Sequence, residues 1–136
     1  MVMFVGLNPS TADAAKDDPT VRRCAGFARR WGFGGLYLVN LFACRATDPA
    51  LIASIPDPVG PDNNAVIART ALGADMVVAA WGNLGHASER SHDVLAMLQR
   101  RVYCLDCTAR GAPRHPLYAR GDLVPRLFYG PEDNAG

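Results

Sequence analysis

Short apolar runs, set apart by polar stretches rich in glycine and proline, give the chain its rhythm. Met1 to Val5, Leu36 to Val39, Met76 to Ala80 and Val102 to Leu105 are each four or five residues long. That length suits strands buried on both faces. Between the first two runs, Val21, Cys24, Ala28 and Trp31 recur at helical spacing with arginines among them. Asp18-Pro19 reads as the start of that helix, with Asp as N-cap and Pro in the first turn, and Gly32, Gly34 and Gly35 end it. A second helix is predicted from Pro61 to Leu72, closed by Gly73. A third, capped by Ser88 or Ser91, is predicted to run to about Arg100 with Val94, Leu95 and Leu98 inward. The order β-α-β-α-β-α-β predicts a parallel α/β sheet covered by helices on both faces. The pattern alone does not fix the order of strands.

Two segments carry little periodicity. Residues 41 to 60 contain Pro49, Pro56 and Pro58, with a short helical turn expected at Thr47 to Ala50. So long a connection in a small domain is often a functional loop. The tail holds Leu123, Leu127, Phe128 and Tyr129, enough to dock on the body. A single domain over residues 1 to 130 is expected, with 131 to 136 fraying.

Composition changes this picture only a little. The chain is 49% hydrophobic and 20% charged, as in soluble globular proteins. No apolar run is long enough to span a bilayer and no signal-peptide pattern opens the chain, so a cytoplasmic protein without a membrane partner is expected. A net charge of +1 does not announce a polyanion partner. Locally, Arg22, Arg23, Arg29 and Arg30 share one helix, and six arginines face two aspartates between Arg100 and Arg126. Both groups read equally as phosphate-facing surfaces or as solvated faces. Cys104 and Cys107 form a CxxC on a predicted strand, where alternation points the sulfurs to opposite faces. Buried reduced thiols are expected there and at Cys24 and Cys44, rather than a zinc or iron–sulfur site.

A loop follows each predicted strand, and a parallel sheet binds ligands outside the carboxyl ends of its strands. The loops carry Gly6-Leu7-Asn8-Pro9-Ser10, Asn40-Leu41-Phe42, Trp81-Gly82-Asn83 and Arg114-His115-Pro116-Leu117-Tyr118. Asn8 either holds a water or substrate group on a loop stiffened by Pro9, or closes an Asx turn. Asn40 either reads the edge of a planar heterocycle or ties down the loop after it. His115 is a candidate acid or anion stabiliser. Leu117 and Tyr118 are core contacts or a wedge for a base stack. Trp81-Gly82 reads as packing at a strand end. Among the acids, Asp18 is explained as a cap and Asp13 and Asp17 as solvated carboxylates. His86, His92 and Asp93 make a weak metal set, and Ser10 with His115 lacks a third catalytic member. No Walker A, GxGxxG or GxSxG pattern is present, which disfavours nucleoside triphosphatase, dinucleotide and α/β-hydrolase readings.

The runs GLNPSTAD, DDPTVRRC, WGFGGL, NLFACRATDP, DPVGPDN, AAWGN and GAPRHPLY, in order over residues 3 to 119, resemble the bacterial and phage domain-of-unknown-function family numbered 1643. Members usually carry more sequence before the first strand than this chain does. The motif order is also similar to the uracil-DNA glycosylase superfamily, through Gly6-Leu7-Asn8-Pro9, Leu38-Val39-Asn40, Trp81-Gly82 and His115-Pro116. That resemblance implies a three-layer αβα fold with a four-stranded parallel sheet in the order 2-1-3-4. It implies an N-glycosidic hydrolase acting on a modified or damaged base in nucleic acid or nucleotide, with no cofactor and no metal. Asn8 would position the attacking water, Asn40 would read the base edge, and His115 would stabilise the departing base. Gly6, Pro9, Ser10, Phe42, Trp81, Gly82, Pro116 and Tyr118 would complete the ligand pocket, with Arg114 and Arg22 on phosphate. Ser10 stands where uracil-specific enzymes hold a Tyr, implying a wider pocket. Leu117-Tyr118 replaces the usual Ser-Pro or Ser-Gly. For base stacking, Phe27, Trp31 and Phe42 are the candidates. A non-catalytic module that binds a nucleotide or modified base is the alternative.

Overall fold

Alternation along the first strand sets the layers. In a computed structural model describing residues 1–9, 18–45, 49–86 and 88–131, β1 (Val2–Gly6) lies between β2 (Leu36–Asn40) and β3 (Met76–Ala79), parallel to both. Met3 and Val5 join a buried cluster with Ile67, Ala71, Val94 and Leu95, whereas Val2 and Phe4 pack with Cys24, Phe27 and Ala28. Successive side chains of a strand point to opposite faces. Helix α1 (Pro19–Arg30) therefore covers one face, and α2 (Asn63–Leu72) and α4 (Glu89–Leu98) cover the other. The short α3 (Gly82–His86) follows β3 directly.

The helix α1 starts as its sequence predicts. The Asp18 carboxylate accepts from the Thr20 N–H at 2.8 Å, and Pro19 occupies the first turn. At its other end Phe33 N–H donates to the Ala28 carbonyl and Gly32 N–H to that of Arg29, the paired bonds of a Schellman stop. The α2 helix begins two residues later than expected, because Pro61 and Asp62 form a turn ahead of it. The long connection after β2 carries a 3₁₀ turn at Pro49–Ser54 whose Ile52 is buried in the core. The turn expected at Thr47 to Ala50 lies partly outside the described residues, as does the tail beyond 131.

The sheet order is β2-β1-β3-β4-β5, with β4 at Val102–Cys104 and β5 at Arg126–Tyr129. The first four strands are parallel and adjacent in the order 2-1-3-4, but the four-stranded expectation is corrected to five. The tail does not merely dock: β5 pairs antiparallel with β4. It thereby satisfies the backbone donors and acceptors of what would otherwise be an edge strand. Its four residues show no clean alternation, which hid the strand in the sequence. Phe128 packs on the α2/α4 side of the core and meets Trp81 edge-on at 6.1 Å.

Phe128→Ala should therefore lower stability by roughly 2 kcal/mol, below the range for a fully buried Phe because this one is half-buried. A urea midpoint that drops at unchanged m-value is the expected reading. An unmoved midpoint would mean that β5 is not part of the cooperative fold.

Candidate functional site

Parallel register brings the strand ends to one level. Gly6 pairs with Asn40, and Val5 with Ala79, so the first three strands stop side by side. Above them lies a cleft of about 820 Å³. The loop after β1 lines it with Gly6, Asn8 and Pro9, and β2 lines it with Asn40. The end of β3 adds Trp81 and Gly82, and the segment after β4 adds Arg114, His115, Pro116 and Tyr118.

Asn40 owes its position to Gly6. A Cβ on Gly6 would lie 2.7 Å from Asn40 Oδ1, so only a residue without a side chain lets the amide lie across the strand ends. The backbone at Asn40 is held separately: Asn63 Nδ2 donates to the carbonyls of Asn40 at 2.9 Å and of Leu41 at 3.1 Å. Arg90 Nε adds a bond to the Leu41 carbonyl at 2.8 Å. Asn63 and Arg90 thus do the tying-down that one reading gave to Asn40. Its own amide makes no hydrogen bond among the described residues and faces the cleft.

Asn8 is engaged with backbone. Its Nδ2 donates to the carbonyls of Pro9 at 3.1 Å and Cys44 at 3.4 Å, stitching the loop after β1 to the loop after β2. Both amide N–H donors thus have acceptors within the fold.

His115 sits on a folded-back excursion. Cys107 and Pro113 form an antiparallel bridge, and Arg114 N–H donates to the Asp106 carbonyl at 2.9 Å. The excursion seats on Gly82, whose N–H donates to the Pro113 carbonyl at 2.9 Å. Gly82 has a φ of +74°, and a Cβ there would lie 3.7 Å from His115 Cβ. Beyond it, Pro116–Tyr118 forms a 3₁₀ turn capped by His115, whose Nδ1 accepts from the Leu117 N–H at 3.2 Å. Arg23 of α1 holds this turn through the carbonyls of Pro116 and Ala119. Burial pushes the His115 pKa down, with the Asp18 charge pulling the other way. With Nδ1 accepting, the neutral ring carries its proton on Nε2. Tyr118, 77% exposed, tilts against the His115 ring at 5.9 Å, and Leu117 is also exposed. Neither is a core contact.

Several expected site residues lie elsewhere. Phe42 is buried in the α2/α4 side of the core. Phe27 and Trp31 pack with each other and with Phe4, and Trp31 Nε1 donates to the Leu123 carbonyl. Arg22 is on the exposed face of α1, outside the cleft lining. Arg114 lines the cleft, but its guanidinium bonds the Cys107 carbonyl and pairs with Asp106 at 3.8 Å. Ser10, Asp13 and Asp17 lie outside the described residues. The CxxC is also corrected. Since β4 ends at Cys104 and the chain turns, the two sulfurs are neighbours at 4.0 Å instead of opposed. Burial, then the charge of Cys107, holds the Cys104 thiol above the usual range. The rings of His86 and His92 are 6.4 Å apart, and among the described residues no three His, Cys, Asp or Glu side chains form a metal-binding group.

The cleft also contains residues to which sequence reasoning gave no site role. Arg45, exposed, lies on the lining with no hydrogen bond or ion pair among the described residues. Asn83 and Thr108 line it as a bonded pair, the Thr108 hydroxyl donating to Asn83 Oδ1 at 2.7 Å. From α1 come Asp18, Thr20 and Cys24. The signal for Asp18 was visible, but capping explained it fully; Arg45 carried no local signal beyond its place after a strand.

No curated protein and no solved structure shows significant similarity to this chain. Residues 1–117, from β1 to the turn that bears His115, match a family model described as a protein of unknown function (DUF1643), and the chain belongs to that family.

Proposed function

We propose that this cleft binds a nucleobase-bearing ligand and hydrolyses its N-glycosidic bond. The observation that carries the reading is the pairing of an Asn40 amide, unpartnered among the described residues, with a half-buried, neutral His115 across the ends of three parallel strands. Asn40 ends β2, and His115 packs over Gly82 just past β3. Those strands flank β1, so the two side chains line opposite sides of the gap above its end. That gap accepts a planar base with a hydrogen bond at each end. An amide presents a donor and an acceptor side by side, the pattern needed to read a base edge. The Nε2–H of a neutral imidazole can stabilise a base leaving as an anion. Tyr118 offers an exposed aromatic face beside His115, and Arg45 a cation for phosphate with no partner among the described residues. The first four of the five strands run parallel in the order 2-1-3-4, which supports the reading drawn from the motif likeness to uracil-DNA glycosylases. The ligand class is nucleic acid or nucleotide, bound without cofactor or metal, in a cytoplasmic protein.

A second reading, a module that binds such a base without cleaving it, is favoured by one observation. Both donors of Asn8, the residue matched to water positioning, already have backbone acceptors.

A base-release assay separates the two. Oligonucleotides and nucleotides bearing uracil, deaminated purines and bulky modified bases are incubated with the protein, and free base is read by mass spectrometry. Release is expected from at least one of them, with His115→Ala reducing kcat by about 100-fold, the scale of losing one donor to a developing anion. Gly6→Ala should instead raise KM, because its Cβ displaces the Asn40 amide. Binding with no product from any substrate would leave only the module.

The state of His115 has its own signature in stability. Its folded pKa lies below the unfolded value of about 6.5, so the unfolded chain binds more protons as pH falls. The stabilisation from the neutral ring is complete above that value and is lost on acidification towards the folded pKa. Asn in its place caps the turn without titrating. The stability advantage of wild type over His115→Asn should therefore shrink between pH 7.5 and pH 5 in urea melts. An advantage that grows on acidification would reverse the assigned direction.

A further inference from the structure

Hydrolysis needs a proton acceptor for the attacking water, and the residues matched to the reaction do not supply one. An amide such as Asn8 is not a base. His115 commits Nδ1 to the Leu117 N–H, so taking a proton there would break the turn that orients it. Burial, then the charge of Asp18, pushes the Cys24 thiol up to about 12, too high for a thiolate near neutral pH. Thr20 and Thr108 carry only hydroxyls.

One lining residue remains. We infer that Asp18, besides capping α1, accepts the proton of the attacking water; this rests on the glycosidase reading of the cleft. Among the described residues Asp18 is the only carboxylate lining the cleft. It is held rigidly, since Oδ1 accepts from the Thr20 N–H at 2.8 Å and Pro19 fixes the chain beside it. Oδ2 makes no hydrogen bond among the described residues, which leaves it for a water. The charge is felt at Cys24 on α1 and at His115 on the excursion, both of which line the cleft. As the C1′–N bond breaks, its electron pair leaves with the base, whose charge is met by His115 Nε2–H. The water oxygen bonds to C1′, and its proton passes to Asp18 Oδ2 and from there to solvent, while the base anion gains a proton from solvent. The same carboxylate stabilises the positive charge that builds on the sugar.

The cap makes a clean test possible. Asn and Ser cap a helix as well as Asp does, but neither carries a carboxylate. Asp18→Asn and Asp18→Ser should stay folded, with a Tm within a few degrees of wild type, and keep the Kd for the most readily cleaved oligonucleotide, measured in rapid mixing before turnover. Each should lower kcat by about 100-fold or more, the usual contribution of a general base. A kcat within about threefold of wild type in either well-folded variant overturns the assignment while leaving the glycosidase reading intact. No base release by wild type on any substrate overturns both.

Discussion

The cleft depends on one missing side chain. Gly6 ends the central strand, and its neighbour in register is Asn40. Because nothing projects from Gly6, the Asn40 amide can lie over the strand ends instead of being turned away, at a distance where a Cβ would overlap its oxygen. The rest follows from that opening. Once the central strand stops without a side chain, the ends of β2 and β3 become the walls of a single space, and the segment after β4 folds back across it to form the far side. Two residues earlier in the strand, Phe4 is fully buried against α1, so the change from packed core to open cleft occurs within one turn of the alternation.

The far wall is built differently from the near one. Asn40 is fixed by strand register and by Asn63 and Arg90 beneath it. His115 is on irregular backbone, and irregular backbone must find partners for its polar groups. It does so through the Cys107–Pro113 bridge, the seat on Gly82, and the Arg23 side chain reaching from α1 to two carbonyls of the following turn. Arg23 thereby couples the helix that carries Asp18 to the turn that His115 caps. A shift of α1 would move Asp18 and the His115 turn together, which keeps the spacing between them a property of one rigid unit.

How much of this was legible in the sequence follows the range of the interactions. Elements decided by local signals were read well: Asp18-Pro19 started a helix, and apolar runs of four or five residues became the parallel strands, though β2, at the sheet edge, is only partly buried. The convergence of Asn8, Asn40, Trp81 and His115 on one edge followed from strand direction alone. What was missed was decided by distant partners. Arg126–Tyr129 became a strand because β4 needed one, not because its own pattern asks for it. Phe42 looked like a stacking residue by its position after Asn40, but the chain turns it into the core on the other side. The two sulfurs of the CxxC met because β4 stopped at Cys104, one residue short of the expected strand.

Asp18 shows a separate reason why a site residue escapes sequence reading. A residue with a sufficient local explanation is normally set aside, and the helix cap is as sufficient as any. A carboxylate, however, has two oxygens, and a cap bond to one backbone N–H occupies only one of them. Placing such a residue at the start of α1 gives it a fixed orientation and a favourable position at the positive end of the helix dipole. The second oxygen then inherits that rigidity at no further entropic cost, because the side chain is already ordered by folding. Structural and chemical roles in one side chain therefore do not compete. The cap immobilises the carboxylate, and an immobilised carboxylate is what a positioned water requires.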